Sequence, residues 1–84
     1  MVATVLITPG AQQEFRELPL PIQGRVREIF VRLRSWPDVS GAKPLSGKLA
    51  GNYRIRTGDY RVVFRVSGTT VVVWKIGYRG DVYD

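Results

Sequence analysis

The chain contains neither cysteine nor histidine. Without a thiol there is no cysteine nucleophile and no disulfide frame, and without an imidazole there is no histidine acid–base pair. The two absences together exclude a zinc-finger ligand set. Freedom from cysteine also fits a reducing compartment. Acidic residues are few, 7 against 13 Lys and Arg, which leaves a formal charge of +6 over 84 residues. No stretch approaches the ~18–20 apolar residues of a membrane span. Residues 1–7 are too short for a signal-peptide core and have no basic segment before them. A soluble cytoplasmic protein without membrane contact is therefore expected. What is present is 44% hydrophobic and 11% aromatic residues with 24% charged, the composition of a globular chain and not of a disordered one. The length suits one domain, 1–84, which buries roughly 60% of the surface its unfolded chain exposes.

Val2-Ala3-Thr4-Val5-Leu6-Ile7 is rich in β-branched residues and reads as a strand. Thr8-Pro9 then supplies a capping hydroxyl followed by proline at the first helical position. Ala11, Phe15 and Leu18 fall on one stripe of a short helix that Pro19 and Pro21 interrupt. Ile22, Val26, Ile29, Phe30 and Leu33 repeat at helical spacing, with Arg25, Arg27, Arg32 and Arg34 on the other faces as a solvated surface, and Trp36-Pro37 ends this second helix. The short joint predicts an antiparallel helical hairpin. Residues 38–48 lack periodicity and read as a loop.

From Asn52 the period becomes two. Tyr53-Arg54-Ile55-Arg56, a turn at Thr57-Gly58-Asp59, and Tyr60-Arg61-Val62-Val63-Phe64-Arg65-Val66 predict a hairpin. A turn at Ser67-Gly68-Thr69 leads to the apolar strand that ends near Ile76. The predicted class is α+β: strand, helix, helix, then a three-stranded antiparallel meander, giving a three- or four-stranded sheet with the helical hairpin on one face. Ile22, Val26, Phe30, Val62, Phe64 and Trp74 are expected in the core.

Side chains alternate across a strand, so Arg54 and Arg56 share one sheet face with Arg61, Val63 and Arg65. An arginine on a solvated strand often serves only to discourage edge pairing. Four like charges on neighbouring strands, with Asp59 confined to the turn and Asp81 to the tail, repel one another, and an external anion relieves that repulsion. Guanidinium forks fit phosphate oxygens bidentately, which makes nucleic acid the leading partner. Arg79 and Tyr83 follow the last strand closely enough to join the patch.

The run Tyr53-Arg54-Ile55-Arg56-Thr57-Gly58-Asp59-Tyr60-Arg61-Val62-Val63-Phe64 resembles the signature of RelE-type toxins of the RelE/ParE superfamily. The segment Lys43-Pro44-Leu45-Ser46-Gly47, the element order and the closing Tyr78-Arg79-Gly80-Asp81-Val82-Tyr83 are similar to that family too, so the resemblance spans essentially the whole chain. It implies a type II toxin that is silenced by a cognate antitoxin with an acidic segment and, when free, cuts mRNA in the ribosomal A site. The family's functional positions fall on Arg54, Arg56, Arg61, Arg79 and Tyr83.

The implied reaction is attack of a ribose 2′-OH on the adjacent phosphate, a metal-independent endoribonuclease step that calls for no cofactor. Arg54, Arg56 and Arg61 would neutralise the phosphorane, each well-aimed donor supplying about 3 kcal/mol. Tyr83 would stack on or orient the nucleotide, and Arg79 is the candidate proton donor to the leaving oxygen. Some members carry lysines where this chain has Arg54 and Arg56. A lysine's pKa can be lowered until it acts as a base, whereas an arginine keeps its proton, so no general base is identified. Two alternatives share the fold: a ParE-like inhibitor of DNA gyrase, and a nucleic-acid-binding module that holds phosphates without cutting.

Overall fold

A computed structural model describes residues 2–78. Strand β1 (Thr4–Ile7) leads into helix α1 (Pro9–Arg16), and Thr8 caps it as expected, its Oγ1 accepting from the Ala11 N–H at 3.2 Å. Helix α2 (Leu20–Leu33) follows after a three-residue joint. The Gln23 amide closes that joint by donating to the carbonyls of Arg16 (3.2 Å) and Leu18 (3.1 Å), which α1 leaves without intrahelical partners. The helix ends at Leu33, a turn earlier than Trp36-Pro37, and residues 34–36 leave it through tight turns.

The sheet has five strands in the order β1-β5-β4-β3-β2, where β2 is Lys43–Pro44, β3 is Asn52–Thr57, β4 is Tyr60–Ser67 and β5 is Thr70–Tyr78. The predicted meander is β3–β4–β5, antiparallel throughout, and β1 completes it by running parallel to β5. Two-residue β2 lies inside the segment expected to be a loop. Both hairpin turns have glycine at the first central residue with positive φ, +60° at Gly58 and +60° at Gly68, and among the described residues no non-glycine has positive φ. That is the requirement of a type II′ turn, whose twist suits the strands it joins.

The helices cover one sheet face. Val26, Ile29 and Leu33 from α2 and Ala11 from α1 meet Ile55, Val62, Phe64, Val71, Val73 and Ile76 in a continuous buried cluster, against which Ile22, Phe30 and Phe15 pack. Trp36 fills the end of this core, 4.7 Å from the Tyr53 ring and 5.4 Å from Phe64. Trp74 does not join it. A β-bulge between Val63 and Phe64 leaves Trp74 without a cross-strand partner, and its indole turns to the opposite face, where Nε1–H donates to Asn52 Oδ1 at 2.9 Å. Among the described residues no helix is long and apolar enough to cross a membrane.

Candidate nucleic-acid interface

The register of the meander assembles the basic face. In β3 and β4, Arg56 stands directly opposite Arg61, Arg54 opposite Val63, and Asn52 opposite Arg65. Directly opposed residues share a face, so Arg54, Arg56, Arg61 and Arg65 all project away from the helices. None of the five strands contains an Asp or a Glu. Strand β2 adds a cation that alternation did not reveal, because Lys43 pairs with Arg54 and is exposed. A two-residue strand is too short to display a period. The pairing itself is what places Lys43 beside the arginines.

These side chains differ in their surroundings. Arg56 and Arg65 are exposed, Arg54 is half-buried with Nε and Nη1 shielded from solvent, and Arg61 is 1% exposed. The arginine face is therefore a gradient from open to enclosed. The Arg61 guanidinium turns back toward the hairpin, where Nη1 lies 3.3 Å from the Tyr60 carbonyl and 3.5 Å from that of Gly58. Both contacts run through Nη1 and hold that edge of the planar fork toward the hairpin backbone. Gly58 thus has two roles, as the positive-φ residue of the turn and as an acceptor for Arg61.

Opposed like charges at Arg56 and Arg61 cost stability, and the pair sets one enclosed and one exposed guanidinium side by side on adjacent strands. Arg79 and Tyr83 lie outside the described residues. The last described residue, Tyr78, faces Tyr60 across the strands with ring centroids 5.4 Å apart, one pair from Arg61 and Gly77. The edge of β5 there is secured from α1: Glu14 accepts the Ile76 N–H at 3.0 Å and pairs with Lys75 Nζ at 2.7 Å. The helical arginines Arg25, Arg27, Arg32 and Arg34 are exposed, as expected, but they are not uniformly solvated: Arg25 reaches toward the turn at Gly58, Arg27 lies over the Phe15 ring, and Arg32 donates to the Ser40 carbonyl at 2.6 Å. Among the described residues no group of acidic side chains is placed to hold a metal ion.

A small α+β protein with one apolar, helix-covered sheet face and one cationic open face is the class these features define. Residues 5–83 match the family model described as ParE toxin of type II toxin–antitoxin system. Toxin RelG of Mycobacterium tuberculosis is 34% identical over 85 residues, 99% of this chain and 98% of that protein. In a solved toxin–antitoxin complex from the same organism, RelBE2, one chain superposes with a TM-score of 0.82 at 33% identity, covering 94% of this chain and all of that one (100%). A chain of the archaeal RelE–RelB complex from Pyrococcus horikoshii superposes at 0.76 with 26% identity over 98% of this chain and 100% of that one. The chain belongs to the RelE/ParE superfamily of toxins of type II toxin–antitoxin systems.

Proposed function

We propose that this toxin is a ribosome-dependent mRNA endoribonuclease that acts in the cytoplasm, and that Arg54, Arg56, Arg61, Arg79 and Tyr83 form its site. The observation that carries this reading is the Arg56–Arg61 pair, set on a strand face without carboxylates and continued by Arg54. The 2′ oxygen of a ribose attacks the adjacent phosphorus. The bond from phosphorus to the 5′ oxygen of the next nucleotide breaks, leaving a 2′,3′-cyclic phosphate and a 5′-OH. Arg54, Arg56 and Arg61 neutralise the charge gathered on the phosphorane, and the enclosed, preoriented Arg61 does so with least reorganisation. Arg79 delivers the proton to the leaving oxygen. The proton of the 2′-OH goes to a group other than these guanidinium groups, with Tyr83 the candidate in this chain and the ribosome the candidate outside it.

A cognate antitoxin holds the toxin inactive by laying an acidic segment over the arginine face or by displacing the tail near Tyr83. The net charge of +6 and the solved toxin–antitoxin complexes of relatives support that partner. The match to the ParE model favours a second reading, a gyrase inhibitor that needs no nuclease site.

Single-turnover cleavage on programmed ribosomes, run beside a gyrase supercoiling assay, separates the two. Arg61→Ala should lower the cleavage rate by orders of magnitude while changing ribosome affinity modestly, because contacts made mainly to the transition state are read in the rate. Arg65→Ala should keep most activity. Equal losses for Arg61→Ala and Arg65→Ala, both traced to affinity, would make the face a cradle without chemistry. Inhibited supercoiling with intact mRNA would establish the second reading.

A further inference from the structure

Among the described residues, Phe15, Phe30, Trp36, Tyr53, Tyr60, Phe64 and Tyr78 all stand in ring pairs, and each of these pairs belongs to the core or its margin. Trp74 stands in none of them. Only one cation–π contact occurs among the described residues, Arg27 over Phe15, so no described arginine covers the Trp74 ring. Alternation from the core residues Val71 and Val73 carries Trp74 onto the cationic face, and the bulge at Trp74 then returns Ile76 to the core.

Its attitude on that face follows from the hydrogen bond to Asn52. Trp74 belongs to β5 and Asn52 to β3, with β4 between them. Neighbouring strands lie about 4.8 Å apart, so a bond from one side chain to the other requires both to lie across β4, parallel to the sheet. The indole therefore reaches across β4 toward β3 and is half-buried, part of its ring surface remaining accessible. Val63 beneath this region is fully buried although it is not part of the helix-side cluster, as expected of an aliphatic side chain roofed on the open face. The N–H is already satisfied, which leaves the π-surface as what the ring offers. One position along β3 from Asn52 on the same face stands Arg54, and beyond it the Arg56–Arg61 pair.

We propose that Trp74 is a stacking platform for a nucleobase of single-stranded RNA, with Arg54 lying between it and the Arg56–Arg61 pair that would hold the phosphate. This rests on the nuclease reading of the same face, and it extends that reading from the phosphate to the base. A partly accessible aromatic ring anchored beside guanidinium groups is the arrangement that binds single strands, with phosphates on the cations and a base on the ring. An apolar contact with a protein partner would use the same ring but has no need of the neighbouring arginines.

The test is fluorine NMR of toxin labelled with 5-fluorotryptophan, which carries two signals, one from Trp36 and one from Trp74. The Trp74 signal is assigned by its loss in Trp74→Phe. Titration with a short single-stranded RNA should shift the Trp74 signal and leave that of Trp36 in place, and an abasic ribose-phosphate strand of equal length should move neither. Equal shifts with both strands, or an unmoved Trp74 signal at saturating RNA, would overturn the platform, as would a shift that only antitoxin produces. On programmed ribosomes Trp74→Leu should lose on the order of tenfold to a hundredfold in kcat/KM while Trp74→Phe keeps most of it, and undiminished cleavage by correctly folded Trp74→Leu would also overturn it. A base-dependent shift in a wild-type protein that fails to cut would uphold the platform and remove the nuclease reading. Cleavage by wild type with an unmoved signal would do the reverse.

Discussion

On one side of the sheet Ile55, Val62, Phe64, Val71, Val73 and Ile76 are sealed under α1 and α2, and on the other Lys43, Arg54, Arg56, Arg61 and Arg65 face outward from the neighbouring strands β2, β3 and β4. The same backbone thus carries a face that contributes stability and a face that expends it. Each apolar side chain buried on the first contributes about 1.5–3 kcal/mol relative to exposure, whereas opposed like charges on the second subtract from a net stability of only about 5–15 kcal/mol. A domain this small keeps such a charge row only where the other face compensates for it. The two faces should therefore answer differently to substitution.

The largest effect is expected on the covered side. Phe64→Ala removes a ring in contact with Trp36 and Tyr53 and should cost about 3–5 kcal/mol, enough to leave much of the population unfolded in a urea titration. A loss below about 1 kcal/mol would mean that the aromatic cluster is not the keystone of this core. At the seam between the faces, Glu14→Ala leaves the Ile76 N–H without its acceptor and should cost about 1–3 kcal/mol. Glu14→Gln, which keeps an acceptor and removes the ion pair with Lys75, should cost less, and equal losses would place the effect in the charge instead. Gly58→Ala forces a Cβ onto a backbone with φ of +60° and should destabilise by about 1–2 kcal/mol. It should also lower cleavage more than Arg65→Ala does, because Arg61 is directed by that turn. The smallest change is expected from Arg56→Ala, within about 0.5 kcal/mol of wild type and toward greater stability, since it removes one of two opposed charges. Its cleavage rate should nonetheless fall steeply. A large stability loss there would show that Arg56 is structural.

Much of the fold was legible because alternation and helical spacing are direct readouts of burial. Thr8-Pro9 marked the start of α1, and Tyr53-Arg54-Ile55-Arg56 separated the faces of β3 before any coordinates were known. Lys43 and β2 escaped because two residues cannot show a period, and their strand exists only through pairing with Tyr53 and Arg54. Trp74 was misassigned for a different reason. In a run as apolar as Val71-Val72-Val73-Trp74 no polar residue marks which alternate positions face the helices, and the bulge that lets both Val73 and Ile76 reach the core hides the phase further. The enclosure of Arg61 was equally hidden, since alternation gives the face of a side chain and not the depth to which it lies.

The parallel pairing of β1 with β5 sets the order in which the molecule can come into being. Thr4 finds its partner only at Thr70, and Ile7 only at Val73, so the first strand to leave the ribosome waits for the last. The β3–β4–β5 meander closes through short turns and needs no distant partner, whereas β1 must hold its apolar residues through most of synthesis with the sheet incomplete beside it. An antitoxin that reached the chain in this interval would meet a sheet still lacking its outer strand. For a protein proposed to arrest translation, the sheet is finished only after the ribosome has made β5.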